Sequence, residues 1–273
     1  MISFSSGPLE SRNNPTHWQK LLDRALPIID HVYRETNGPW TLGGGTAVAL
    51  RIGHRLSDDV DLFVPGVPLK EFSPGRNPAA KSYADRCQYP GHYLKFELDE
   101  GEIDFLGPPL QTVPGFTLEP YRNRTIRLET LTEVIVKKIR YRTAITARDV
   151  FDIACVNRCE PLLPHILARE VGDLLPGLHE AFEARKFTAN SLATAVRPME
   201  AFRDVVSSAV DEVRQLIAEI RDAGDLSDEE KLAAAYLASG RRDERQQWVW
   251  EGVGPDETAA RRSLVDRWTS RGD

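Results

Sequence analysis

Apolar and polar positions along the chain predict an N-terminal part of alternating helices and short strands, followed by a C-terminal part that is helical. Apolar residues recur at three- and four-residue spacing from Trp18 to Val32, which predicts the first helix. Asn caps helices and Pro suits the first helical position, so we expect this helix to begin at Asn14 and Pro15. It should end at the Asn-Gly-Pro sequence of residues 37–39.

A strand, a tight turn, a short helix and a second strand are predicted between residues 40 and 64. The first strand, residues 40–42, runs into Gly43, Gly44 and Gly45, which let a backbone turn sharply and approach a ligand closely. A short apolar helix follows, and the second strand opens with acids before the apolar residues 62–64. The candidate chemistry of the chain is arranged around this unit.

Three further strands are predicted after this unit. Residues 93–98 alternate between apolar and polar side chains, and residues 103–106 form a shorter apolar strand. A turn at residues 99–102 joins these two strands into a hairpin. Residues 125–128 are predicted to be the third strand.

Two capping motifs predict the next two helices. Thr130 followed by Glu133 has the pattern of a capping box, with the threonine as N-cap and the glutamate at the third helical position. Thr146 followed by Asp149 is a second capping arrangement. We therefore expect one helix to begin just after residue 130 and the other just after residue 146.

The last third of the chain is predicted to be helical. A long amphipathic stripe covers residues 202–220, and Pro198 should kink or begin that helix. Residues 227–230 form another capping box, which predicts a helix that closes before residue 240. Residues 241–268 interleave arginine with tryptophan, which suits either stacking on nucleic acid or a solvated helix with packed tryptophans. The second interpretation is favoured.

Composition restricts the class of protein. The chain has 273 residues, 41% of them hydrophobic and 28% charged, which is ordinary for a globular protein. No apolar run approaches the roughly 20 residues needed to span a membrane, and the N-terminus lacks the pattern of a signal peptide. Three cysteines without a metal-binding pattern indicate reduced thiols, so we expect a cytoplasmic location and no membrane contact. A net charge of −6 argues against a wholly basic surface, although a local basic patch for nucleic acid stays open.

Asp59 and Asp61 are the first candidate site residues. They alternate along a strand, so both should point to one face, where they repel each other unless a cation lies between them. Their hard oxygen atoms suit Mg²⁺. Either feature alone, the glycine turn or the Asp-x-Asp pair, is more typical of an ordinary turn or a solvated loop. Together at this spacing they favour a site that binds a metal ion and phosphate.

Three charged residues elsewhere also need partners. Asp104 interrupts an apolar strand, where it is either an edge residue that faces water or one that needs a cation. Lys138 lies on the apolar face of its helix, unlike Lys137, and either extends to solvent or meets an anion. Asp149 could simply cap its helix, and the following Asp152 could form an ordinary i, i+4 pair with Arg148.

Residues 42–47 together with 54–61, and residues 133–140 together with 148–153, resemble the AbiEii/AbiGii-type nucleotidyltransferase toxins, which include the MenT toxins. These belong to the DNA polymerase β-like nucleotidyltransferase superfamily, whose Gly-Ser and Asp-x-Asp motifs match Gly45-Thr46 and Asp59-x-Asp61. The resemblance implies an α+β fold, with a mixed-sheet core flanked by helices and a helical C-terminal region. We expect a nucleotidyltransferase core domain at residues 1–157 and a helical domain at residues 158–273.

The resemblance also implies roles for particular residues. Asp59, Asp61 and Asp104 would be the metal ligands, and Asp59, Asp61, Lys138 and Asp149 the catalytic residues, with Asp152 as second choice for the last. Gly44, Gly45, Thr46, Ser57 and Lys138 would bind the nucleotide. In some members a serine beside the acids is phosphorylated, and Ser57 stands at that place, although an ordinary turn or cap serine is the favoured interpretation.

The function implied by the resemblance is a Mg²⁺-dependent transfer of a nucleotide from an NTP. The protein would be the toxin of a toxin–antitoxin system, with the 3′ end of a tRNA as acceptor and a cognate antitoxin as partner. Two alternatives stay open: a nucleotidyltransferase that acts on a small molecule or a protein hydroxyl, and a non-catalytic relative that only binds a partner.

Overall fold

The computed structural model describes residues 8–12, 14–34, 38–142, 144–223, 233, 236, 240–242, 247–250 and 254–269. A mixed seven-stranded sheet flanked by helices forms the centre of the fold, which confirms the predicted α+β class. The strands of this sheet lie in the order β3-β4-β5-β2-β1-β7-β6. Their bounds are β1 (Thr41–Gly43), β2 (Val60–Phe63), β3 (Cys87–Gln88), β4 (Tyr93–Leu98), β5 (Gly101–Leu106), β6 (Phe116–Tyr121) and β7 (Arg124–Glu129).

Pairing within the sheet is parallel between β2 and β5 and between β1 and β7, and antiparallel elsewhere. The β4–β5 hairpin and the strand β7 confirm the predicted strands. The sequence did not predict β6, which pairs along its whole length with β7. A separate two-stranded sheet joins β8 (Arg241–Arg242) to β9 (Trp248–Val249).

Helices cover the sheet and continue beyond it. Their bounds are α1 (Trp18–Tyr33), α2 (Gly44–Ile52), α3 (Leu131–Tyr141), α4 (Ala147–Cys159), α5 (Leu163–Val171), α6 (Leu175–Arg185), α7 (Ala189–Ala195), α8 (Val205–Ala223) and α9 (Pro255–Thr269). Short 3₁₀ helices occur at Leu9–Ser11, Leu69–Phe72, Pro78–Arg86, Gly172–Leu174 and Glu200–Phe202. None of the helices in the described residues is long and apolar enough to cross a membrane.

The expected start of α1 at Asn14 was wrong by several residues. The helix begins at Trp18, because the Asn14 side chain is used elsewhere and donates a hydrogen bond to the Ser57 carbonyl. Thr16 donates to the same carbonyl at 2.7 Å. The residues before α1 therefore hold the loop that leads into β2. The helix also ends earlier than predicted, at Tyr33.

The two capping motifs differ in completeness. Thr146 and Asp149 form the full reciprocal capping box at the start of α4, as predicted. Thr130 caps α3 by accepting from the Glu133 N–H, but the Glu133 carboxylate does not return to it. That carboxylate instead accepts from the backbone N–H groups of Gln111 and Thr112 at 2.8–3.0 Å. Glu133 therefore anchors the loop between β5 and β6.

Pro198 does not begin the long helix α8, which starts at Val205. Residues 197–199 instead run beside residues 54–56: the Leu56 N–H donates to the Arg197 carbonyl at 3.0 Å, and the Met199 N–H donates to the His54 carbonyl at 2.9 Å. The segment before α8 is therefore pinned to the segment that precedes the acids. The helix predicted after residue 227 lies outside the described residues.

One tryptophan of the arginine-containing tail is packed, as the favoured interpretation required. Trp250 is 6% exposed and donates a hydrogen bond from its indole N–H to the Tyr236 carbonyl at 2.7 Å. Trp268 lies where side chains are not described. The main hydrophobic core extends from Leu9 to Ile220, on both sides of residue 157. The division into domains 1–157 and 158–273 stays a prediction.

Candidate functional site

Asp61 and Asp104 are direct neighbours on the parallel strands β2 and β5. Burial raises the pKa of Asp61, against the opposing charges of Arg142 and Lys138. Burial and the charge of Asp61 raise the pKa of Asp104 to about 7. The Asp104 Oδ1 atom is buried and has no hydrogen-bond partner among the described residues. Two partly buried acids on neighbouring strands, one with an oxygen that has no partner among the described residues, form a place where a cation is stabilising.

Gly44 lets Asp61 approach the start of α2. A Cβ atom on Gly44 would lie 1.8 Å from the Asp61 Oδ2 atom, so no other residue fits here without moving the carboxylate. The backbone of Gly44 also has φ +64°, in the left-handed region that disfavours side chains. No side chain caps α2, which leaves its first N–H groups available to an anion.

These groups line a cleft of about 370 Å³ between the sheet and α3. Of the predicted site residues, the cleft brings together Gly44, Asp61, Asp104 and Lys138. Gly45, Thr46, Ser57, Asp59 and Asp149 do not line it. The lining residues are Gly44, Asp61, Phe63, Tyr93, Lys95, Asp104, Leu106, Pro108, Glu129, Val134, Lys137, Lys138, Tyr141 and Arg142.

Lys138 meets anions rather than solvent. Its Nζ lies 2.7 Å from Asp149 and 2.9 Å from Asp152, and its side chain is 7% exposed. Asp152 also accepts from Arg55 and hydrogen-bonds with His54. Although burial favours its neutral form, the charges of Arg55 and Lys138 hold the pKa of Asp152 well below its ordinary value. The lysine thus joins α3 to α4 at the edge of the cleft.

The Asp149 carboxylate is bonded mainly to other groups of the protein. Its carboxylate completes the cap of α4 and also receives Lys138 and Arg142, the latter at 3.0 Å. Burial opposes its ionisation, but these charges lower its pKa. Arg148 does not pair with Asp152, because Asp152 is turned inward. The Arg148 guanidinium lies 3.9 Å from the Asp59 carboxylate instead.

Asp59 does not line the cleft that contains Asp61 and Asp104, although its charge acts on both of them. The strand β2 begins only at Val60, so Asp59 precedes the regular alternation that would have aligned it with Asp61. Its Oδ1 accepts a hydrogen bond from the Glu102 N–H at 3.2 Å. Over the part of the chain that the structure describes, no three His, Cys, Asp or Glu side chains are grouped closely enough to form a metal cluster. The site therefore offers a pair of carboxylates, with the third close by in sequence.

Gly45, Thr46 and Ser57 shape the loop before β2. A Cβ atom on Gly45 would lie 2.3 Å from the Arg55 guanidinium. The Thr46 hydroxyl lies 3.0 Å from the Ser57 hydroxyl and also bonds with the Asp59 carbonyl. Both Thr46 and Ser57 are buried. Their hydroxyls hold the acid-bearing loop in place, and their part in nucleotide binding stays a prediction.

Reasoning from the sequence did not identify three residues that line the cleft, which are Lys95, Glu129 and Lys137. Lys95 is directly opposite Asp104 on β4, with its Nζ 3.7 Å from the Asp104 carboxylate. The hairpin register could have revealed this pair. Lys137 is 4% exposed and lies 2.6 Å from Glu129. Burial raises the pKa of Glu129 to about 7, although Lys137 opposes this effect. The apolar pattern of α3 does not predict that Lys137 is buried against Glu129 of β7.

Phosphate groups need backbone N–H groups and cations, and a metal ion that accompanies them needs carboxylates. The cleft brings a helix start, carboxylates and lysines together over the central strands of a mixed sheet, an arrangement that suits a phosphate group accompanied by a metal ion.

A comparison with models of protein families identifies the family of this chain. The model of the family described as nucleotidyl transferase AbiEii toxin, type IV toxin–antitoxin system, matches residues 32–246. The chain therefore belongs to this family of nucleotidyltransferase toxins, as the resemblance indicated. Searches of curated proteins and of solved structures gave no match.

Proposed function

We propose that the protein transfers a nucleoside monophosphate from an NTP to a hydroxyl at the 3′ end of a tRNA. In this reaction the acceptor oxygen forms a bond to the α-phosphorus, the bond to the bridging oxygen breaks, and pyrophosphate leaves. The hydroxyl proton passes to solvent. The observation that carries the proposal is the Asp61–Asp104 pair, placed against the glycine-opened start of α2.

The acids of the cleft fit Mg²⁺. Asp61 and Asp104 supply hard oxygen atoms, and the Asp104 Oδ1 atom lacks any other partner among the described residues. Asp59 would be the third ligand once it leaves the Glu102 N–H. When bound, Mg²⁺ supplies charge that offsets the triphosphate and polarises the α-phosphate.

The protein's own residues position the triphosphate. The N–H groups at the start of α2, from Gly44 onward, would donate hydrogen bonds to the terminal phosphates, because a helix start favours negative charge. Lys138 would add positive charge on the opposite wall of the cleft. Most of the rate enhancement would come from such positioning and charge stabilisation.

Support for an RNA acceptor comes from family membership and from three arginines around the site. The side chains of Arg142, Arg148 and Arg197 are 45–60% exposed, and each lies beside an acid of the site or of the loop before β2. Exposed arginines can follow a phosphate backbone. A cognate antitoxin that silences the activity is part of the proposal, because the family is defined by toxin–antitoxin systems.

A transfer assay tests the proposal. The protein would be incubated with Mg²⁺, total tRNA and each labelled NTP in turn, beside Asp61→Asn and Asp59→Ala. Label should reach tRNA with the wild type, and both variants should fold but lose about 100-fold or more in rate, since each removes a carboxylate that holds the metal ion.

Three outcomes would contradict parts of the proposal. Label on a small molecule or on protein would favour the alternative acceptors. Transfer at the wild-type rate by Asp59→Ala would exclude Asp59 as a ligand. The absence of both nucleotide binding and transfer would leave a non-catalytic relative that binds a partner.

A further inference from the structure

The floor of the cleft consists of two parallel rows of side chains. The first row crosses three strands as Lys95, Asp104 and Asp61, which are paired in register. The second row lies two residues further along the same strands as Tyr93, Leu106 and Phe63, also in register. Residues two apart share a face of the sheet and are separated by about 7 Å. A charged row and an apolar, partly aromatic row thus lie side by side on the same face of the sheet.

A polar pair closes the end of the apolar row. The Lys137 Nζ atom lies 3.7 Å from the centre of the Phe63 ring and 2.6 Å from the Glu129 Oε1 atom. Thr41, which is opposite Phe63 on β1, donates to the same Oε1 atom at 2.6 Å. Lysine and threonine therefore hold one oxygen of Glu129 firmly and fix the direction of the other.

The second oxygen of Glu129, Oε2, makes no hydrogen bond to any residue that the structure describes. Glu129 is fully buried, lines the cleft, and its Oε2 atom has no hydrogen-bond partner among the described residues. A Cβ atom on Gly43 would lie 2.4 Å from this oxygen, so the chain has a glycine where the carboxylate needs room. Leaving a buried acceptor unpaired is costly, so a donor from a bound molecule would be stabilising at this oxygen.

We propose that the apolar row and the Glu129–Lys137 pair form a nucleobase subsite that selects a base with an exocyclic amino group. The proposal rests on the proposed function, which places the phosphates of an NTP over the charged row. The flat base would lie against Tyr93, Leu106 and the exposed Tyr141. Its amino group would donate to the Glu129 Oε2 atom, and the neighbouring ring nitrogen would accept from Lys137.

The pair CTP and UTP isolates this contact, because the two bases have the same size. Cytosine presents an amino donor beside a ring-nitrogen acceptor, whereas uracil presents a carbonyl beside an N–H donor. A site built to hydrogen-bond one pattern rejects the other, since its own polar groups are then left unpaired.

Equilibrium binding of labelled CTP, UTP and inorganic triphosphate, with Mg²⁺ at pH 8, tests the proposal. At this pH Glu129 is ionised, because its pKa is about 7. The wild type should prefer CTP, and Glu129→Gln should weaken CTP about 10-fold or more, or about 1.4 kcal/mol, with inorganic triphosphate unchanged. The matched control is Glu119→Gln, whose carboxylate pairs with Arg12 outside the cleft.

A second variant keeps the proposal testable if Glu129→Gln does not fold. Tyr141 is 45% exposed, so Tyr141→Ala should fold, weaken CTP and UTP together, and leave inorganic triphosphate unchanged. Equal weakening of all three ligands, or a CTP-to-UTP ratio that Glu129→Gln does not alter, would overturn the subsite. Binding of inorganic triphosphate without any preference for a nucleotide would do the same while the phosphate site stands. If the wild type binds none of the three, the proposed function fails as well.

Discussion

Replacing Gly44 by alanine should displace the Asp61 carboxylate while lowering the stability of the fold only slightly. The left-handed backbone at Gly44 costs alanine about 1–2 kcal/mol. The new Cβ atom would also lie 1.8 Å from the Asp61 Oδ2 atom, whereas ordinary contact begins at 3.4 Å. The carboxylate must therefore retreat by about 1.6 Å, and a misplacement of about 1 Å at a reacting centre can lower the rate about 100-fold.

Gly53→Ala is the matched control for this variant. Gly53 has nearly the same backbone, φ +61°, but no atom lies within 4 Å of a Cβ placed there. Both variants should lose about 1–2 kcal/mol of unfolding free energy in urea. Only Gly44→Ala should lose nucleotide transfer, by about 100-fold in kcat/KM. Equal rates for the two variants, or wild-type transfer by Gly44→Ala, would refute the reasoning.

Two further predictions concern buried charges. Lys138→Met leaves Asp149 and Asp152 without a shared cation and should lower the unfolding free energy by about 3–5 kcal/mol, which urea titration would measure. Exposed ion pairs contribute up to about 1 kcal/mol. A loss of unfolding free energy no larger than this would contradict the role of Lys138 as a link between α3 and α4. Burial raises the pKa of Glu160 from 4.5 to about 7, so the folded protein holds a proton that the unfolded chain has lost, and stability should fall as pH rises across that window. Glu160→Gln should flatten this dependence by up to about 3 kcal/mol, and an unchanged pH profile would argue against a neutral Glu160 in the folded protein.

The part of the site that the sequence predicted is the part set by local structure. The glycine turn, the start of α2 and the placing of Asp61 on β2 all follow from adjacent residues. Asp104 could be predicted because it interrupts an apolar strand. Asp59 was expected on the same face as Asp61, but that expectation assumed a strand one residue longer than β2.

The residues that sequence reasoning missed depend on contacts between distant elements. Lys137 points away from the apolar face of α3 and would be exposed on an ordinary amphipathic helix. Here α3 packs against α2, α4 and α5, and its Lys137 side chain contacts Phe63 and Glu129 of the sheet, so residues on several sides of it are buried. Its charge is accommodated by Glu129, eight residues away on β7. Apolar periodicity reports one buried face, and it gives no signal when ion pairs bury a second.

Glycines 43, 44 and 45 occupy a point on which three separate parts of the protein converge. The space that a side chain would fill is taken at Gly43 by the Glu129 carboxylate, at Gly44 by that of Asp61, and at Gly45 by the Arg55 guanidinium. Every missense change of a glycine codon adds at least a Cβ atom, so any replacement in this run forces one of these three side chains to move. For a protein of a toxin family, this makes the run a concentrated genetic target. Any replacement at these three adjacent codons displaces a side chain of the cleft or of the loop before β2.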